Sequence, residues 1–242
     1  MHDKFVFFGT EHCIVMALTF AVPLALSLTG AKNPARDRVI RRLYAVTLIG
    51  IWIAWYALFI SRDWLSWGNA LPMNLCDWTT VVVLIACFDK SQRAYELAYF
   101  WSLAGTLQGI VTPDVNFGFP EPQFDVFILG HAAIIGAVIY LTFGTGLRPV
   151  PASIPRVAAW TVVYAAAASL ADWLLKVNYG FFRAKPNHAT VFDYLSPWPA
   201  YIPEAIGIAI LAIFILYAPW WFADLAKRRG RAAAESHPSG IS

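Results

Sequence analysis

The ten residues LPMNLCDWTT (71–80) set an amide (Asn74), a thiol (Cys76) and a carboxylate (Asp77) side by side at the mouth of an apolar run. A thiolate attacks ester carbonyls, and such attack needs a base to take its proton and a group to orient that base. Cys76 is the nucleophile candidate. Pro72 suits a first helical position, which puts the thiol near the positive end of a helix dipole, where a thiolate is favoured. A charged Asp77 nearby would oppose this, but a 100° helical step turns it partly away, while Thr79 and Thr80 share the face of Cys76. His131, in a later apolar run, is the candidate base, and Asp172, in the next, is the candidate orienter of its imidazole. His12 is a rival base. Against this stands the reading of Cys76 as a small buried hydrophobe, which most free cysteines are, and Cys13 and Cys87 read as packing residues. His12, Cys76, His131, Asp172 and Glu204 are metal-ligand types, but no i, i+4 pair such as HExxH occurs, so neither a metal nor another cofactor is expected.

The elements that would position these groups are membrane helices. Of the 242 residues, 59% are hydrophobic and only 14% charged, with 11 Trp, too apolar for a soluble domain and suited to two lipid–water interfaces. A net charge of +3 gives no case for a nucleic-acid partner, and three Cys inside apolar runs give no disulfide framework. Seven stretches, near 9–29, 43–61, 70–88, 94–112, 125–144, 156–176 and 200–222, reach the 17–25 or so residues that a helix needs to cross a bilayer. The fourth carries Glu96 and Gln108. The first lacks a small-residue cleavage site and reads as a retained span. Pro- and Gly-containing breakers separate the stretches, and no internal repeat is evident.

Counted over alternate loops, Lys and Arg number thirteen on one side and five on the other, which puts the amino terminus outside and the carboxyl terminus in the cytoplasm. A six-span count would scramble that partition. The expectation is an all-α polytopic membrane protein of the cell membrane (the inner membrane in a Gram-negative cell), a bundle of seven transmembrane helices over residues 1–226. A basic tail, 227–242, reads as disordered.

With direction assigned, depth follows at about 1.5 Å per residue. Glu11 and His12 on the first helix, Asn74, Cys76 and Asp77 on the third, Gln108 on the fourth, His131 on the fifth, Asp172 on the sixth and Glu204 on the seventh fall in one layer beneath the outer surface. The inner half offers only Glu96 and Cys87. Ionisable groups at membrane depth usually face the bundle interior, so the layer reads as an outward-facing polar pocket, although each residue alone reads as well as a helix–helix hydrogen bond. In the long outer segment between the last two helices, Arg183, Lys185 and His188 lie among aromatics, suited to a phospholipid head group or to lipid phosphates at the interface.

Two segments carry a family resemblance. LPMNLCDW (71–78) and NYGFFRAKPNHATVFDYLSPWPAYI (178–202) resemble the bacterial YwaF-like integral membrane proteins, which are distantly similar to the eukaryotic transmembrane protein 164 group. Helix count and order extend the likeness over most of the chain. The resemblance implies acyl transfer between phospholipids, with Cys76 as the motif Cys and His131 as the membrane His. Asp77 stands where the eukaryotic motif has a His, which leaves hydrolysis or another acyl acceptor open. The expectation is therefore a phospholipid acyltransferase or acyl hydrolase with a membrane phospholipid as substrate or ligand. The competing readings are an ion-coupled transporter with Glu11, Asp77, Asp172 and Glu204 as relay, and a ligand-binding membrane sensor. The oligomeric state stays open.

Overall fold

A computed structural model describes residues 5–31, 33–115, 118–186 and 190–236. They form helices and connections only: α1 (Thr10–Gly30), α2 (Pro34–Ser61), α3 (Leu75–Asp89), α4 (Gln92–Trp101), a π-helical turn (Ser102–Thr106), α5 (Gln108–Val111), α6 (Pro122–Phe143), α7 (Ser153–Leu175), two 3-10 turns (Tyr179–Phe181 and Val191–Tyr194) and α8 (Tyr201–Ser236). A helical element falls on each of the seven apolar stretches. Five of them, α1, α2, α6, α7 and α8, are continuous helices long and apolar enough to cross a membrane. The other two are the 15-residue α3 and the broken run from α4 through the π turn to α5.

Local signals set boundaries that hydropathy misplaces. α2 begins at Pro34 and not near residue 43, because the Asn33 side chain accepts from the N–H groups of Ala35 (2.9 Å) and Arg36 (3.2 Å) and Pro34 needs no acceptor. α3 begins at Leu75 and not near residue 70. Pro72 therefore lies outside the helix, and Cys76 is its second residue. The segment expected to be a disordered tail continues α8 as far as Ser236, where RAAAE supplies good helix formers.

α6 is the centre of the bundle, packing on α1, α2, α3, α4, the π turn and α5. It buries 56% of its apolar window, against 6% for α8, which rides on the outside of the bundle. The early start of α2 also brings charge to one end of the bundle. Asp37 takes Lys90 at 2.6 Å, the Arg41 Nε at 3.3 Å and the Tyr140 hydroxyl at 3.2 Å, while Arg41 donates to the carbonyls of Cys87 and Phe88. Glu96, 1% exposed, holds Arg156 through two hydrogen bonds of 2.9 and 2.8 Å and accepts from Gln92. Arg148 pairs with Asp224 of α8 at 2.6 Å. That end is thus richer in buried charge than Glu96 and Cys87 alone, because residues assigned to a loop belong to a helix.

Glu96 is the buried partner of its pair with the half-exposed Arg156, and removing the arginine leaves that carboxylate without compensation. Arg156→Ala is expected to destabilise the detergent-solubilised protein by about 3 kcal/mol, read as a lowered unfolding midpoint, whereas Arg228→Ala on the exposed part of α8 leaves the midpoint in place.

Candidate functional site

The site is built around the start of α3. The Asp77 carboxylate accepts from the backbone N–H of Asn74 at 2.9 Å, closing a capping box over the first turn, and the Trp52 indole of α2 approaches the same carboxylate. Asn74 and Asp77 are therefore engaged in starting the helix. Between them sits the half-buried thiol of Cys76, with the backbone N–H groups of Cys76 and Asp77 approaching its sulfur.

Side chains of α3 fan out at 100° per residue. Leu75 meets the π turn, where a Cβ on Gly105 would stand 2.6 Å from its Cδ2. Thr79, on the same face, approaches Thr106 at 3.4 Å. Asp77 faces Trp52, and Trp78 reaches the rings of Trp101 and Tyr164.

His131 packs onto the same broken helix one turn further on, stacked on Phe127 at 4.1 Å between centroids. A Cβ on Gly109 would collide with its ring. Its Nδ1 lies 2.8 Å from the Phe127 carbonyl. A carbonyl only accepts, so Nδ1 carries the proton and Nε2 holds the lone pair. No hydrogen bond joins His131 to Cys76 or to Asp172 among the described residues.

Asp172, 1% exposed, is engaged elsewhere. Its Oδ1 accepts the Tyr179 N–H at 2.6 Å, and its Oδ2 has no partner. The imidazole is oriented by the Phe127 carbonyl instead. Tyr179 is fully buried in the α7–α8 connection; its hydroxyl donates to the Trp67 carbonyl (2.5 Å) and accepts from Leu71 N–H (3.0 Å). Burial raises the pKa of this phenol, so it stays a neutral donor. Tyr179 thereby straps the α7–α8 connection to the segment leading into α3. Beside it, Ser169, Asp172, Trp173, Lys176, Phe182 and Arg183 line an open cleft of about 210 Å³.

The rest of the expected layer disperses. His12 is 1% exposed and uses both ring nitrogens: Nδ1 accepts from Phe8 N–H at 3.0 Å and Nε2 donates to the Ile110 carbonyl at 2.7 Å. It has no lone pair left for a base and serves to tie α1 to α5. Glu11 and Gln108 are exposed on the bundle surface. Glu204 is exposed as well, bound to Ser196 through its N–H (2.8 Å) and hydroxyl (2.5 Å). Arg183 donates to the backbone carbonyl of Asp172 at 3.1 Å, tying the loop to the end of α7, and Lys185 donates to that of Leu195 at 2.7 Å within the loop; His188 lies outside the described residues. Among the described residues no three His, Cys, Asp or Glu side chains converge to hold a metal ion.

Three groups escape the sequence reading. Tyr164 is hidden among ordinary aromatics, and Tyr179, although it lies in the segment that carries the family resemblance, shows no sign of its strapping role. The π turn gives no direct signal, although the spacing of Gly105 and Gly109 in GTLQG marks a close helix approach.

The helices and their buried polar groups define an integral, multi-pass membrane bundle. The family model of the TMEM164 family matches residues 7–217, and the chain belongs to that family. No curated protein matches the chain, and no solved structure does.

The strap has a measurable consequence. Tyr179→Phe leaves the Trp67 carbonyl and the Leu71 N–H without their partner, at a cost of about 1–3 kcal/mol. Limited proteolysis of the folded protein is expected to cut the 176–200 connection faster in Tyr179→Phe than in the unaltered chain.

Proposed function

We propose that this protein is a membrane phospholipid acyltransferase or acyl hydrolase in which Cys76 is the nucleophile and His131 the base. The observation that carries the reading is the hydrogen bond from His131 Nδ1 to Phe127, which leaves Nε2 unprotonated on the same broken helix that the start of α3 packs against. Gly105 and Gly109 lie one turn, about 6 Å, apart, so the side chains that meet them converge. On α3, Cys76 occupies the sector between Leu75, which faces the π turn, and Asp77, which faces α2. α6, the helix that carries His131, packs against α2, α3 and the π turn, which supports its lying on the Cys76 side of α3. A π turn of this kind is frequent at functional sites.

In this reading the chain crosses the membrane seven times, with its amino terminus outside and its carboxyl terminus in the cytoplasm, and the site opens toward the outer leaflet beneath the Tyr179 strap. The narrower likeness to the YwaF-like proteins fits the same reading. Cys76 attacks the ester carbonyl of a phospholipid, His131 takes the thiol proton and returns it to the leaving glycerol oxygen, and a lysolipid hydroxyl or water then resolves the thioester. Asp77, as part of the capping box, holds the start of α3 and takes no part in proton transfer. The transporter reading is weakened because Glu11 and Glu204 lie exposed on the bundle surface and do not extend a relay from Asp77 and Asp172.

The test is labelling of the purified protein with an acyl-directed thiol probe. Cys76→Ala should abolish labelling of the peptide containing residue 76, and His131→Ala should slow it about 100-fold or more. Asp172→Asn should retain most of it while lowering stability. Undiminished labelling in His131→Ala, or loss in Asp172→Asn as deep as in His131→Ala, would contradict the assignment.

A further inference from the structure

Tyr164 holds a polar atom with nothing to bind. The residue is 4% exposed, yet its hydroxyl has no hydrogen-bond partner. An unsatisfied buried hydroxyl costs about 1–3 kcal/mol, and such groups in folded proteins call for an explanation. The phenol has little freedom to find a partner by moving. Its ring is flanked by Trp78 at 5.5 Å, Phe182 at 6.2 Å and Trp101 at 6.3 Å. The backbone of Gly180 closes over the hydroxyl so tightly that a Cβ there would stand 2.5 Å from it.

The hydroxyl lies beside the backbone N–H of Leu75 and within electrostatic reach of Cys76, Asp77 and Asp172. Leu75 and Cys76 are the first two residues of α3. A helix leaves its first N–H groups without internal acceptors, and their partial positive charge favours an anion. A buried phenol with no acceptor for its proton, beside the first N–H groups of a helix and next to a nucleophile, has the makeup of an oxyanion hole.

We propose that the Tyr164 hydroxyl and the N–H groups of Leu75 and Cys76 bind the oxyanion formed during acyl transfer at Cys76. This assignment rests on the acyl-transfer reading above. When the Cys76 sulfur bonds to the ester carbon, its proton passes to His131 Nε2 and the carbonyl π pair moves onto oxygen. That oxygen accepts from Tyr164 and the two N–H groups. The pair then re-forms the C=O bond, the carbon–oxygen bond to glycerol breaks, and the lysolipid oxygen takes the proton from His131. The product is a Cys76 thioester, and attack by a hydroxyl or water runs the same sequence in reverse. Tyr164 is a donor throughout, and its proton never transfers.

Two reactions of the same thiol separate this role from a structural one. Acylation by p-nitrophenyl octanoate passes through an oxyanion, whereas alkylation by iodoacetamide does not. Both rates are measured at the Cys76 peptide by mass spectrometry, on the full-length protein in detergent. Tyr164→Phe should slow acylation about 100-fold, the loss typical of one oxyanion donor, and leave alkylation unchanged. Its unfolding midpoint should be no lower than that of the unaltered protein, since the lost hydroxyl had no partner. Unchanged acylation, or an equal fall in both reactions, would overturn the role of Tyr164 while leaving Cys76 as nucleophile. If the unaltered protein is not acylated at Cys76, or is acylated equally fast in His131→Ala, the acyl-transfer reading itself fails, and the oxyanion site with it.

Discussion

A helix that begins inside an apolar bundle exposes N–H groups that neither lipid nor neighbouring side chains readily accept. At the start of α3 Asn74 and Asp77 meet part of this constraint, since the Asn74 N–H donates to the Asp77 carboxylate at 2.9 Å and closes the first turn. Much else follows from where that turn sits. It fixes Cys76 as the second residue of α3, sends Leu75 against Gly105 and Trp78 against Trp101 and Tyr164, and leaves a short helix whose approach segment must be held from above. Tyr179 supplies that hold by reaching the Trp67 carbonyl and the Leu71 N–H, while Asp172 holds Tyr179.

The division of labour among the buried polar groups follows from the same constraint. Those that look most chemical by type are engaged with backbone: His12 with Phe8 and Ile110, and Asp172 with Tyr179. Such bonds are what a bilayer demands of polar atoms, and they withdraw those residues from catalysis. His131 differs because one nitrogen satisfies a helix carbonyl and the other keeps its lone pair. Tyr164 differs because its hydroxyl satisfies nothing.

Helix content and approximate element positions were legible because hydropathy alone reports them; boundaries erred where capping residues intervene, at Asn33 and Asn74, and where polar helix formers carry α8 on to Ser236. The position of each polar group along its helix was legible too, since the rise per residue is fixed. Azimuth was not. Whether Glu11, Gln108 or Glu204 faces the interior depends on which neighbour a helix packs against, and all three turn out to lie on the bundle surface. The pairing of Asp172 was hidden for a related reason, because its partner is the backbone of a non-helical connection. The charged end around Asp37 is invisible to hydropathy because the first nine residues of α2 are too polar to extend the apolar stretch that begins near residue 43.

The central claim is that Cys76 and His131 act together across the π turn. The most direct measurement is a cryo-EM map of the protein carrying an octanoyl thioester on Cys76. The account predicts the thioester oxygen directed at Tyr164 and the start of α3, with His131 Nε2 about 3–3.5 Å from the sulfur or from the position of the leaving oxygen. A thioester that points into lipid, with His131 Nε2 turned away from it, would contradict the account.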